Sequence, residues 1–241
     1  MTRDDVFWAE FLGVKPEDWS TPGIVYRSHV GLSGFRGFWC FRRGERVVVS
    51  APSGWVERMR LMFAGWDQAR IMDPTSLAGA FGADFERSIG PAFQGCLEPA
   101  RFIHAEGAPH VRGLSPSDVA AVDLFRVACG ASAWDVSGLA EADLWRHAHF
   151  QDGKVTAVAG YRRRRGRAGD PCVLTHPEFR GQGQGAAVTR AVVSEALSNG
   201  ELVLYQTLES NHAAVRLALS LGFERYANHV AVRLKRDAPE P

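Results

Sequence analysis

Charge of one sign is what this 241-residue sequence lacks most: 28 Lys and Arg stand against 27 Asp and Glu, a formal net charge of +1. A chain so balanced has no overall field to draw in nucleic acid or an anionic membrane, so any electrostatic argument has to be local. Cysteine is scarce as well. Cys40, Cys96, Cys129 and Cys172 are far apart, with no C-x-x-C pair and no histidines at zinc-site spacing, so no metal is expected and buried free thiols are. No apolar run is long enough to span a bilayer, and the charged start Met1-Thr2-Arg3-Asp4-Asp5 leads into no signal-peptide core. The expectation is a cytoplasmic protein with no membrane partner.

What is there is ordinary globular composition, 46% hydrophobic and 23% charged, enough to build a core. The length permits two modest domains, and the change in character near His104-Ala105-Glu106-Gly107-Ala108-Pro109 suggests residues 1–105 and 110–235 as their bounds. The first part alternates short β-rich runs with glycine turns, at Ile24 to Tyr26, Gly37 to Phe41 and Arg46 to Ser50, followed by a helix from Trp55 to Phe63. Its five tryptophans, Trp8, Trp19, Trp39, Trp55 and Trp66, read as core.

The second part has sharper signals. Ser115-Pro116-Ser117-Asp118 starts a helix that runs to Gly130, and Leu139 to Arg146 fits a second, shorter one. Asp152-Gly153 is a hairpin turn between His147 to Phe150 and Lys154 to Arg162. A strand over Cys172 to His176 is followed by a glycine-rich link and a helix that Asn199-Gly200 ends. Leu202 to Gln206 reads as a strand, Ser210 to Leu221 as a helix, and Phe223 to Tyr226 and Val230 to Leu234 as two strands. The fold class is therefore α/β, a mixed, largely antiparallel sheet flanked by helices, preceded by a smaller β-rich α/β domain that starts like a degenerate copy of it.

The chemistry concentrates in Arg180-Gly181-Gln182-Gly183-Gln184-Gly185-Ala186. Three alternating glycines at a strand-to-helix turn let successive backbone N–H groups point into one concavity, and the helix start adds its own unsatisfied donors. That is a pyrophosphate cradle. A Walker A loop would need Lys-Ser or Lys-Thr where Ala186-Ala187 stand. Gly181, Gly183 and Ala186 formally match a dinucleotide fingerprint, but Pro177 to Arg180 separate strand from glycines, and the preceding strands form antiparallel hairpins.

These residues carry a resemblance. Arg180-x-x-Gly183-x-Gly185 after Thr175-His176-Pro177, together with Asn211 to Ser220 closing in Leu221-Gly222-Phe223, resembles the two signatures of the GNAT superfamily of acyl-CoA-dependent N-acyltransferases. The resemblance covers about half of the chain and implies acetyl-CoA as donor and an amine-bearing acceptor. It also implies that backbone groups of Val173 and Thr175 bond the pantetheine arm, that amides from Gly181 through Gln182, Gly183, Gln184 and Gly185 to Ala186 hold the pyrophosphate, and that Asn211 lies near the cofactor. Leu174 is expected to lend an oxyanion N–H, and Arg180 a cation at the lip. A thiolate-protonating tyrosine, common in the superfamily eight residues into the second signature, is missing, because that position is Ala218. Asp170 and His149 are the candidate bases, with His176 behind them. An acyl-CoA-binding module without turnover is the alternative that Ala218 keeps open. The run Arg162-Arg163-Arg164-Arg165-Gly166-Arg167 reads as a solvated hairpin tip or as a basic rim at the acceptor entrance, and without interleaved aromatics it does not read as a nucleic-acid surface.

Overall fold

The computed structural model describes residues 1–235 except 33, 105–108, 143 and 166–167, and of 144, 145 and 165 it describes the backbone. The expected domain link at 105–108 and the end of the arginine run at 166–167 lie outside the described residues. The chain forms two compact units that interleave along the sequence: one takes Met1–Gly95, Gln206–Val215 and Arg225–Pro241, the other Cys96–Tyr205 and Arg216–Glu224.

The first unit opens with helix α1 (Arg3–Leu12), started by a capping box between Thr2 and Asp5 and ended by Gly13 in the left-handed conformation. Strands β1 (Gly23–Ser28), β2 (Gly37–Arg43) and β3 (Arg46–Ala51) follow, then short helices α2 (Val56–Met62), α3 (Gln68–Ile71) and α4 (Pro74–Phe81), strand β4 (Phe85–Cys96) and, from the C-terminus, β10 (Glu224–Leu234). Their order in the sheet is β1-β3-β2-β10-β4. β3 pairs in parallel with β1 along all of Arg46 to Ala51, so the strand that leads into α2 has no free edge on that side. One face buries Phe38, Cys40, Val47, Val49, Val230 and Val232 against Phe63, Leu77 and Phe81 of the helical segment. The other face carries Phe41 and Trp39 against Trp8 and Phe11 of α1. Trp8, Trp19, Trp39 and Trp55 are buried and Trp66 packs on the core, as the composition suggested.

The second unit contains β5 (Val111–Gly113), α5 (Val119–Cys129), α6 (Ala131–Ser137), β6 (Leu144–Gln151), β7 (Lys154–Arg165), β8 (Ala168–Thr175), α7 (Gln184–Ser198) and the start of β9 (Leu202–Leu208); α8 (His212–Ser220) begins in the first unit and ends here. Sheet order is β5-β6-β7-β8-β9, antiparallel from β5 to β8 and parallel between β8 and β9. Asp152 (φ 51°) and Gly153 (φ 75°) make the expected tight turn between β6 and β7. α5 and α6 cover one face through Phe125, Leu139, Ala142, Val158 and Cys172, and α7 covers the other with Val188, Val192 and Ala196. Each unit is thus a mixed sheet flanked by helices, the α/β class the patterning predicts.

Two local expectations are corrected. The second short helix is Ala131–Ser137, bracketed by Gly130 and Gly138 at positive φ, and not Leu139 to Arg146. Leu139 and Ala142 are buried as a turn segment, and their spacing reflects packing rather than helical periodicity. The last two strands are one, because Asn228 and His229, polar enough to read as a break, pair with Arg42 and Phe41 of β2.

Candidate functional site

The site in the second unit is built from a strand that loses its partner. β8 stays paired with β7 from Arg165↔Ala168 to Ala157↔Thr175, but among the described residues it pairs with β9 only at Ala168↔Leu202 and Gly169↔Val203. Beyond Gly169 the two parallel strands part, and the edge of β8 from Asp170 to Thr175 opens into the gap. Backbone polar groups along a strand alternate between its two edges. His176 N–H donates to Thr156 O on the β7 side, 2.9 Å away, so the groups of Cys172 and Leu174 also face β7, and those of Val173 and Thr175 face the gap. The backbone groups of Val173 and Thr175 thus lie on the edge of β8 away from β7, whereas the N–H of Leu174, expected to serve the oxyanion, belongs to the β7 ladder, and its side chain packs with the α5 and α6 core.

At the open end of the gap, His176 accepts a bond from Glu178 N–H through Nδ1 at 3.3 Å and starts a short turn, Pro177–Phe179. That ties His176 to the turn and leaves it a poor candidate base. Gly181 (φ 77°) and Gly183 (φ 84°) then take left-handed backbone conformations with nothing within 4 Å of where a Cβ would stand. Their glycine is required by the backbone, not by crowding. Gly185 is different, since a Cβ there would stand 2.6 Å from Thr175 Oγ1. That glycine lets the first turn of α7 settle against the end of β8.

Helix α7 starts at Gln184 with Gly183 as its N-cap and receives no side-chain cap. Its first amides, with the positive end of the helix dipole, are left to an external acceptor. Gln184 is buried and its Nε2 donates to Gln151 Oε1 at 3.1 Å, so its side chain anchors the helix start to β6 and only its backbone is available to an anion. Gln182 turns back to Glu178 O at 3.2 Å. Arg180 leans over the end of β8, its Nε 3.4 Å from Thr175 O. Asn211 falls in the first unit, where its Oδ1 accepts from Ala214 N–H at 3.2 Å and caps α8.

Neither expected base is a free one. The Asp170 carboxylate, 3% exposed, is held by Arg162 at 3.0 Å and Arg164 at 2.7 Å, so its lone pairs are committed. His149 sits on β6, two strands and about 10 Å from β8, with Nδ1 2.7 Å from Thr156 Oγ1. Burial and then the charge of His110 hold its pKa below the usual imidazole value. The arginine run is corrected in the same way. Arg162 to Arg164 lie within β7 and are ion-paired: Arg162 also with Glu141 at 2.8 Å, and Arg163 with the buried Glu201 at 2.5 Å. For Glu201 the signal was legible, because it follows the Asn199-Gly200 turn that leads into β9.

The open edge of β8 leads to an uncapped, glycine-led helix start. The sequence model of the acetyltransferase (GNAT) family matches residues 122–223. The C-terminal half is a GNAT domain. The family is one of acetyltransferases, and acyl transfer from acetyl-CoA is its general chemistry. An acetyltransferase of the GNAT family from Colwellia psychrerythraea shares 12% identity with the chain over 98% of both, with a TM-score of 0.53, a likeness of fold along nearly the whole length. A protein described as a GNAT-family acetyltransferase from Novosphingobium aromaticivorans is 26% identical over 61% of this chain and 65% of its own, less than two thirds of that protein, with a TM-score of 0.48. Among curated proteins none matches the chain significantly. No helix among the described residues is long and apolar enough to cross a membrane.

Proposed function

We propose that this GNAT domain transfers the acetyl group of acetyl-CoA to a primary amine by direct attack on the thioester. The observation that carries the reading is the parting of β8 from β9 after Gly169, beside a helix start whose donors have no side-chain cap. In this reading the amides of Gly181 to Ala186 hold the pyrophosphate, with Arg180 at the lip. The gap-facing backbone groups of Val173 and Thr175 bind the pantetheine arm and place the thioester carbonyl. Asn211 is kept as a cofactor contact on the resemblance alone. Residues 110–235 are proposed as the catalytic domain and residues 1–105 as its accessory domain. Free cysteines suit a reducing compartment, and the cytoplasm is where we place the reaction.

With Asp170 locked between two guanidiniums and His149 two strands away with its Nδ1 on Thr156 Oγ1, we assign the proton loss from the amine to water. An amine of lysine type, with a pKa of about 10.4, is then limited by its own deprotonation. Turnover should rise steadily from pH 6 to 9 with no fall at the alkaline end, and His149→Ala should leave that profile unchanged. A plateau with a midpoint near neutrality that disappears in His149→Ala would show instead that the imidazole is the base.

The arginine run gives a second expectation. β8 has eight residues, so its ends are about 23 Å apart, with the Arg162 to Arg165 end opposite the glycine loop. Replacing Arg163 and Arg164 together by Ala should leave coenzyme A affinity within about twofold by calorimetry. Loss of binding would contradict the assignment of the glycine loop as the anion site. The second reading, an acyl-CoA-binding module without turnover, is favoured by Ala218, whose side chain is a buried methyl with no proton to give.

A further inference from the structure

Helix α5 carries more apolar surface than its covered face accounts for. Of its eleven residues Phe125 is buried, and α6 beside it buries none. Phe125 packs with Leu139, Val158 and Cys172. Ala120, Leu124 and Val127 follow the spacing i, i+4, i+7, so they form one row on the side of the helix turned away from Phe125. Ala120 is exposed, and Leu124 and Val127 are 73% and 76% exposed. A helix on a protein surface ordinarily turns polar residues to that side. One exposed apolar side chain needs no explanation, but a row of them marks a contact surface.

The flanks of the row indicate what fits it. One flank carries Asp123 and Arg126, both exposed, with Arg126 Nη2 3.8 Å from Asp123 Oδ1. The other carries Ala121 and Ala128 and no charge. Two copies of a helix related by a twofold axis perpendicular to their length run antiparallel, and like flanks meet with the sequence direction reversed. With that axis between Leu124 and Phe125, Asp123 stands level with Arg126 of the second copy, and Arg126 with its Asp123. At the same setting Val127 falls level with the space between Ala120 and Leu124 of the second copy, where the small Ala120 leaves room for it. A parallel pair would instead set both charges against the alanine flank.

We propose that the outward face of α5 is a self-association surface, on which a second copy of this chain lays its own α5 antiparallel about a twofold axis. The inference does not depend on the reaction assigned to the domain. Eleven residues make a helix about 16 Å long and about 10 Å wide. Two such helices cover less than the roughly 800 Å² per partner of a standard interface, so the dimer exchanges with monomer and is not permanent.

The test is sedimentation velocity of the intact chain from about 1 to 500 µM, where a reversible monomer–dimer equilibrium is expected. Leu124→Glu and, separately, Val127→Glu change exposed positions that the fold does not bury, and each should weaken association at least tenfold, roughly the penalty of a carboxylate covered without a partner. Asp123→Arg sets like charges against each other twice across the axis and should weaken association about tenfold. Asp123→Arg combined with Arg126→Asp restores opposite signs at both places and should return the parent value within about threefold. A parent chain that is monomeric throughout overturns the proposal and leaves the face to another occupant. A dimer that both glutamate variants leave intact overturns it by placing the contact elsewhere. Association that Asp123→Arg leaves unchanged, or that the double reversal does not restore, overturns the antiparallel pairing.

Discussion

Gly183→Asp is expected to fold and to lose its response to acetyl-CoA. The parent chain, at a donor concentration one hundred times the dissociation constant, should gain about 2.7 kcal/mol of stability, and the variant none. Nothing lies within 4 Å of the new Cβ and φ is 84°, a conformation that Asn and Asp adopt at a cost of about 1 kcal/mol. The fold therefore tolerates the side chain, and the carboxylate decides the result. Two unit charges 4 Å apart interact by about 4 kcal/mol at an effective dielectric of 20. Even half of that, after screening, removes about 30-fold in affinity for each phosphate charge faced. Gly183→Asn carries the same strain without the charge and should keep binding within about tenfold. Equal, intact stabilisation of both variants by acetyl-CoA in denaturant titrations would mean that the anion sits elsewhere.

The second large effect is on stability. Asp170 is the shared anion of Arg162 and Arg164, its own side chain 3% exposed and theirs 24% and 31%. Asp170→Ala removes the partner and leaves two guanidiniums partly buried without a counter-charge. Breaking such a pair costs about 3 to 5 kcal/mol, and the lower end applies because both arginines keep some water and Arg162 keeps Glu141 at 2.8 Å. Urea unfolding of Asp170→Ala should show a loss of about 3 kcal/mol with an unchanged slope. A variant as stable as the parent but inactive at every pH would restore Asp170 as the base and contradict the structural role.

How much of this was written in local sequence depends on the range of the interaction. The glycine loop was legible because its requirement is local: Gly181 and Gly183 are needed by their own backbone angles, and such positions announce themselves. The tight turn at Asp152-Gly153 was legible for the same reason. The roles of Asp170 and Leu174 were not, because both depend on which strand lies on which side. Asp170 reads as a lone carboxylate on a strand until β7 brings Arg162 and Arg164 against it. Leu174 reads as a backbone donor to the site until the bond from His176 to Thr156 sets the phase of the strand. The joining of β10 to β2, about 190 residues away along the chain, is why the first compact unit takes residues from both ends of the sequence.

The central claim is that the C-terminal half moves an acetyl group from acetyl-CoA to an amine. Its most direct test is release of free thiol from acetyl-CoA on mixing with the intact chain, with and without a panel of primary amines. The account predicts thiol release that depends on both protein and amine, that rises steadily from pH 6 to 9, and that is lost in Gly183→Asp. Saturable binding of acetyl-CoA with no amine-dependent thiol release at any pH would contradict it, and would make the domain an acyl-CoA-binding module.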